Sequence, residues 1–378
     1  MLAGVFLVSA VPPPVRVTTL RQLLSLVPVL FGYYPRACVV VLGVAPPRGT
    51  VRVSQRCPGY DPGDPDGAAR AVGAVVALLG RQQCQGAAAV GYGPDERVTP
   101  FFGLLREQAA RIGIELTELL RAEDGRYWSY VCTGPSCCPA GGSPYDDTPD
   151  LALAALLPEG VPAVLPGREA LAGLVAPCGG DEAASVARAV RAAGQRAARL
   201  TRRARQSAVP VTRRYPVASA GIRAVRAALR ACRQDQAITS TQVGWLLVAL
   251  GDSWVRDDAL GRLDPAHRRA DLKLWTDLTR LAAPGYVAAP ATLLAHAAWR
   301  AGNGALANVA LDRALDDDPG YPLACALQRV LAHGAPPDKA QPPITPRQVA
   351  AFYRARATGT GWSALTARRG AADGYLSA

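Results

Sequence analysis

The stretch ACVVVLGV, Ala37–Val44, decides how the first half of this chain is read. It is a short apolar run with three consecutive valines, and turn-forming residues lie on both sides of it (Pro35-Arg36 and Pro46-Pro47-Arg48-Gly49). Such a run, too short for a helix and without polar alternation, predicts a strand buried on both faces. The next segment, VRVSQR (Val51–Arg56), alternates and is expected to pair with it as a hairpin through APPRG. Upstream, TTLRQLLSLVPVLFG (Thr18–Gly32) has helical spacing, with Thr18 or Thr19 as N-cap and Gly32 as its stop. Downstream, DPGDPDG leads into a helix over Ala68–Gln83 that Asp66 would cap. GAAAVGYG (Gly86–Gly93) reads as a second buried strand, and TPFFGLLREQAARIG (Thr99–Gly113) as a helix with Pro100 in its first turn. IELTELLRAEDGRYWSYVC (Ile114–Cys132) then gives two strands around an Asp124-Gly125 turn. The order predicts an α/β domain over 15–138, a mixed sheet covered by helices. Residues 1–14 form an N-terminal segment. Its apolar start, MLAGVFLVSA, lacks a basic n-region and runs into three prolines, so a first strand or a ragged start is expected, not a signal peptide.

The second half has a different rhythm. A Gly/Pro-rich connection with one or two brief helices spans 139–180, an α-helical domain spans 181–333, and a partly disordered tail spans 334–378. In AASVARAVRAAGQRAARLTRRARQ (Ala183–Gln206), Val186, Val190, Ala193, Ala197, Leu200 and Ala204 form an apolar seam, and seven arginines occupy the opposite half of the wheel. Further helices are expected in TQVGWLLVALG, SWVRDDALGRL, AHRRADLKLWTDLTRLA, ATLLAHAAWRAG and GALANVALDRALDD. Pro284-Gly285-Tyr286 and Pro319-Gly320-Tyr321 repeat 35 residues apart, close to the tetratricopeptide period. One complete unit predicts a tetratricopeptide-like helical hairpin inside a larger all-α domain.

Composition narrows the class. The 378 residues are 49% apolar and 19% charged, as in a globular protein, and no apolar run reaches membrane-spanning length. The net charge of +12 is local, because thirteen arginines and no acid lie between Arg188 and Arg233. Only Lys273 and Lys339 are lysines, a bias that GC-rich coding also produces. Nine scattered cysteines, an odd number, argue against a secreted disulfide framework and for reduced thiols in the cytoplasm.

The densest chemistry is RYWSYVCTGPSCCPAGGSPYDD, Arg126–Asp147. A structural zinc site wants four ligands. Cys132, Cys137 and Cys138 make a C-x4-C-C pattern, and adjacent cysteines seldom both reach one ion. The histidines, His267, His296 and His333, all lie in the helical half, so a fourth ligand would come from Cys57, Cys84, Asp146 or Asp147. A zinc site, a local disulfide and a nucleophilic thiol are therefore subordinate to a structural turn. In that reading Trp128 and Tyr130 pack on one strand face and Cys-Cys-Pro closes the domain. No metal ligand set is assigned and no cofactor is expected, zinc being the one the pattern admits. In LGDSWVRDDAL, Asp252, Arg256 and Asp257 fall within two turns, and an i, i+4 pair of Asp252 with Arg256 is expected. The carboxylates of DPGDPDG lack calcium-loop spacing. VGYGPDE is too short for a dinucleotide fingerprint, and neither a P-loop, a nucleophile elbow nor HExxH occurs.

Four segments in order, LRQLLSLVPVLFGYYPRACVVVLGV, GRYWSYVCTGPSCCP, LGDSWVRDDAL and LLAHAAWRAGNGALANVALDRALDDDPGYPLA, closely resemble the actinobacterial domain-of-unknown-function family 4192. The resemblance covers most of Val15–Gly334. It departs at Tyr33-Tyr34, where Phe-His is usual, and at Arg36-Ala37, where an acidic pair is usual. It implies a soluble actinobacterial protein and carries over no catalytic role. The sequence thus predicts a cytoplasmic, non-catalytic binding or regulatory protein, without membrane contact, whose helical half engages a protein partner. One alternative is an enzyme with a site between the domains, built from Trp128, Tyr130, Cys132, Cys137 and Cys138 with Asp252, Arg256 and Asp257. The other is a nucleic-acid binder using Arg188, Arg191, Arg199, Arg202 and Arg203.

Overall fold

A computed structural model describes residues 6–8, 15–17, 19–45, 50–146, 164–206, 215–334, 337 and 345–358. Residues 46–49 of the expected hairpin turn, Asp147, most of 1–14 and much of the connection and tail lie outside the described residues. The chain divides into two compact units, Met1–Ala170 and Leu171–Ala378.

The first unit is built on the opening stretch. Strand β3 (Cys38–Ala45) is buried at every residue but Val44 and lies between β4 (Thr50–Pro58) and β5 (Gly86–Tyr92), antiparallel to both. Its two faces are equally enclosed. Val39 and Val41 join Val72, Val75, Leu79, Phe101, Phe102 and Leu105 in the core, while Val40 and Leu42 on the other face are also inaccessible. Full burial on both faces is what suppresses alternation in the sequence.

The core helices are α2 (Pro65–Arg81) and α3 (Asp95–Arg111). Preceding them, α1 (Leu20–Phe31) begins at Thr19, whose hydroxyl accepts from Gln22 N, and ends at Gly32 in the left-handed conformation. Both core helices start earlier than expected. Asp64, not Asp66, caps α2: its carboxylate accepts from Gly67 N, and Pro65 takes the first turn where no donor is needed. Helix α3 starts at Asp95, so Pro100 lies inside it and not in its first turn. It carries the crossover from β5 to β6 (Glu115–Glu123), which run parallel. Asp124 and Gly125 both have positive φ, 48° and 71°, and fold β7 (Arg126–Ser129) back on β6 in the register Glu123↔Arg126, Leu120↔Ser129. Short strands complete the mixed sheet: β1 (Phe6–Val8), β2 (Val15–Val17) and β8 (Ser143–Pro144), in the order β2-β1-β4-β3-β5-β6-β7-β8.

The second unit is helical among the described residues. After the short α4 (Arg168–Gly173), which begins in the first unit, come α5 (Gly180–Gln206), α6 (Pro216–Arg233), α7 (Ser240–Ala249), α8 (Ser253–Leu260), a single 3₁₀ turn, α9 (Arg268–Leu281), α10 (Ala288–Arg300), α11 (Gly304–Asp317), α12 (Pro322–Ala332) and α13 (Pro346–Thr358). Helix α10 is buried over eleven of its residues because α9 and α11 both pack on it. Asp317, at the end of α11, accepts from the backbone of Gly285 (2.6 Å), Val287 (2.9 Å) and Ala288 (3.0 Å), which ties the start of α10 to its neighbour. Helix α5 buries only Val186, Val190 and Ala193; the rest of the expected seam, Ala197, Leu200 and Ala204, is half-buried. Within the segment 334–378, residues Pro346–Thr358 form α13, a helix the sequence reading did not place. Thr345 and the Gln348 side chain cap it reciprocally, and it packs on α8 with Val349 buried. None of the described helices is long and apolar enough to cross a membrane.

Candidate functional site

Strand β7 sets up the thiol cluster. At its end Ser129 turns the chain out of the sheet: its hydroxyl donates to Glu118 Oε2 (3.4 Å) and accepts from Val131 N (3.2 Å) and Cys132 N (2.9 Å). Five residues later the carbonyl of Gly134 accepts from both Cys137 N (3.2 Å) and Cys138 N (2.8 Å). This tight turn swings both side chains toward Cys132. The three Sγ atoms all lie within 4.8 Å of one another, and Cys132 and Cys137 Sγ are 3.0 Å apart. Adjacent cysteines seldom come together in this way. In extended chain successive side chains point to opposite faces, but the chain turns over 135–138.

The chain beyond the cysteines is pinned as firmly. Trp128 Nε1 donates to Ala140 O (3.0 Å), and Arg126 donates to Gly141 O (3.1 Å) and Gly142 O (3.0 Å). Gly142 lies flat against the Trp128 indole, where a Cβ would come within 2.6 Å of the ring. The Arg121 guanidinium sits 3.7 Å from the indole centroid. Tyr130, two residues on, reaches helix α3. Its ring meets Phe102 edge-on, and its hydroxyl contacts Asp95 Oδ1 (2.7 Å) and Thr99 Oγ1 (2.5 Å). Trp128 therefore orients the cysteine loop, while Tyr130 fastens it to α3.

Electrostatics separate the three thiols. Hydrogen bonding, first from Cys137 and then from the Gly134 backbone, holds the Cys132 thiol below its usual range. Burial and then the two neighbouring sulfurs push Cys138 up to about 12. The Cys132 thiol therefore ionises before Cys138, as expected when like charges share a small volume. Burial also raises the Glu118 carboxyl, against the opposing pull of the Ser129 hydroxyl. Cys137 is exposed and the other two are half-buried, so the cluster opens to solvent. Cys57 and Cys84, once candidates for a fourth ligand, are buried in the core beneath α2, and Asp146 is not part of the cluster.

A model of the family described as Domain of unknown function (DUF4192) matches residues 21–338. The chain belongs to this family. No curated protein and no solved structure matches it.

In this DUF4192 chain the second expected group is also assembled, in the helical unit, but with different pairing. The Asp252 carboxylate does not pair with the Arg256 guanidinium; only Arg256 N donates to the Asp252 carbonyl (3.1 Å). Asp252 caps α8 by accepting from Trp254 N (2.9 Å), and burial raises its carboxyl. Arg256 instead pairs with Asp257 (2.7 Å) and lies over the Tyr321 ring. Tyr353 of α13 donates to Asp257 Oδ2 (2.8 Å) and stacks on Trp254, with ring planes 6° apart. The buried acids are Asp258, held by Arg262 at 2.9 Å, and Asp271, which accepts from Arg233 (3.3 Å) and Asp264 N (2.9 Å). These charges hold helices together. Arg188, Arg191, Arg199, Arg202 and Arg203 are all exposed along α5, whereas Arg196 stacks 4.3 Å over Trp245. Sequence reasoning passed over Glu118, Ser129, Asp95 and Thr99. Asp95 stood in VGYGPDE after a buried strand, and Ser129 in the cysteine-rich stretch.

Proposed function

We propose that this DUF4192 protein is a non-catalytic binding protein whose helical unit engages an acidic protein partner through α5. The observation that carries this reading is the row of five exposed arginines, Arg188, Arg191, Arg199, Arg202 and Arg203. At helical rise they form a stripe about 22 Å long. Helix α5 spends only its first half on packing and keeps this stripe outward, on a segment without a single acid from Ala183 to Gln234. The planar guanidinium fork suits carboxylate pairs. No aromatic residue interleaves with the arginines, and stacking is what single-stranded nucleic-acid binders use. The paired helices α10 and α11, read as a tetratricopeptide-like hairpin, fit a protein-binding role. The pairing of Asp257, Asp258 and Asp271 with arginines supports the non-catalytic reading.

The test is fluorescence anisotropy of the full chain with a labelled Glu-rich peptide and, separately, a duplex DNA of similar charge. Replacing Arg188, Arg191, Arg199 and Arg202 together by Gln is expected to weaken peptide binding at least tenfold, and added salt to weaken it in the wild type. Unchanged peptide affinity in the variant refutes the reading. If only the duplex binds, and the variant loses it, a nucleic-acid partner replaces the acidic protein.

A further inference from the structure

We propose that Cys132, Cys137 and Cys138 form a binding site for a thiophilic d10 cation, Zn2+ or Cu+, held by three thiolates with its remaining face open to solvent. The proposal is independent of the arginine stripe.

Size comes first. Metal–sulfur bonds of about 2.3 Å in a tetrahedral site place the sulfurs roughly 3.8 Å apart. All three Sγ atoms here already lie within 4.8 Å of one another, so small side-chain rotations bring them to a common ion. The Cys132–Cys137 separation of 3.0 Å would open by about 0.8 Å to the same end.

A disulfide is the rival use of the same loop. It would need Cys132 and Cys137 to close to about 2.05 Å, and it would leave the third sulfur without a task. The turn does not treat Cys138 as a bystander. The Gly134 carbonyl binds Cys138 N at 2.8 Å as well as Cys137 N at 3.2 Å, and the Cys138 Sγ lies within 4.8 Å of both other sulfurs. Gly134 also leaves room for the sulfurs. A Cβ there would lie 3.1 Å from Cys137 Sγ and 3.9 Å from Cys132 Sγ. The loop is held from both sides, by Ser129 before it and by Arg126 and Trp128 after it, so the ligands are positioned by hydrogen bonds outside the cluster.

Ligand type selects the cation. Sulfur donors favour Zn2+ and Cu+ over Mg2+, Ca2+ or Mn2+, which prefer oxygen. Three sulfurs with an exposed Cys137 differ from a closed four-ligand structural centre. A fourth ligand for Zn2+ must be water or come from outside, whereas Cu+ is satisfied by three sulfurs.

The experiment uses the full chain, reduced and stripped of metal by chelator. Co2+ titration should give a thiolate charge-transfer band and tetrahedral visible bands saturating at one equivalent, reversed by Zn2+. X-ray absorption at the zinc edge should report three sulfurs, a measurement that needs no variant. Competition against a Cu+ chelator decides between the two cations. Cys138→Ser should weaken binding more than 100-fold, since altering a residue that only orients a ligand costs about 10–100-fold. Cys178→Ser, in the other unit, should change nothing. The proposal fails if less than about 0.2 equivalent of either cation binds. It fails equally if the edge spectrum shows two sulfurs or fewer, or if Cys138→Ser, folded by circular dichroism, binds like the wild type. A Cys132–Cys137 disulfide in protein that takes up no metal after reduction would put the redox reading in its place.

Discussion

Replacing Gly244 by alanine tests how α5 is held on the helical unit. Gly244 sits on α7 where the two helices touch. A Cβ at this position would lie 2.6 Å from the carbonyl carbon of Ala189, 2.7 Å from its Cβ and 2.8 Å from Val190 N. Two of those atoms are backbone, so no rotamer change relieves the clash, and α5 must move away by about 1 Å to restore van der Waals contact. Overpacking of this kind costs about 1–3 kcal/mol. The upper end applies because α5 has only Val186, Val190 and Ala193 as buried anchors, and all three lie near the contact. Alanine returns about 1 kcal/mol through helix propensity, which leaves a net loss of about 2 kcal/mol. Gly194, on α5 itself, is the control. Nothing lies within 4 Å of its would-be Cβ, so Gly194→Ala should gain the propensity term alone, about 1 kcal/mol. For a unit of 208 residues, 171 to 378, each kcal/mol moves Tm by about 2–4 °C. Gly244→Ala should therefore melt about 4–8 °C lower and Gly194→Ala about 2–4 °C higher by far-UV circular dichroism. A Gly244→Ala protein as stable as the wild type would show that α5 is not seated on α7 in this way.

Three further outcomes are expected. His296 has its Nε2 sealed without a partner, and burial, then Arg300, depress its pKa to about 4. The unfolded imidazole titrates near 6.5, so its stabilising contribution is complete above that pH. It drains away as pH falls toward 4, by up to about 3 kcal/mol. Urea midpoints across that interval should slope in the wild type and flatten in His296→Gln; equal slopes would rule this out. Asp317→Ala removes three backbone hydrogen bonds to a carboxylate and should cost about 2–3 kcal/mol in chemical denaturation, with Asp317→Asn losing less. Tyr353→Phe keeps the stacking on Trp254 but loses the bond to Asp257, so hydrogen exchange in α13 should accelerate by the equivalent of about 1 kcal/mol. Unchanged protection would mean that the ring alone docks α13.

Periodicity made the frame of both units readable, and its failures are instructive. The unbroken valines of β3 and the Asp124-Gly125 turn between β6 and β7 each encode one local demand, burial on two faces and positive φ, and both emerged as expected. Helix starts were misplaced where a capping carboxylate stood ahead of the apolar pattern, as Asp64 does for α2. Helix α13 was missed because its anchors, Tyr353 on Trp254 and Asp257, lie about 96 residues away in sequence, and a local reading cannot weigh such contacts.

The thiol cluster divides along the same line. The sequence by itself determined which atoms were available: three sulfurs within seven residues, a glycine and prolines to bend them, and no nearby histidine. It also determined the all-arginine character of α5. Whether Cys137 and Cys138 would diverge or converge was open, because adjacent side chains part in a strand and meet only in a particular turn. Tertiary structure decided it. The pairing of β7 with β6 placed Ser129 beside Glu118, and the clamps from Trp128 and Arg126 set the far end of the loop. Between those fixed points the Gly134 carbonyl could gather both backbone amides and turn two neighbouring thiols to face a third.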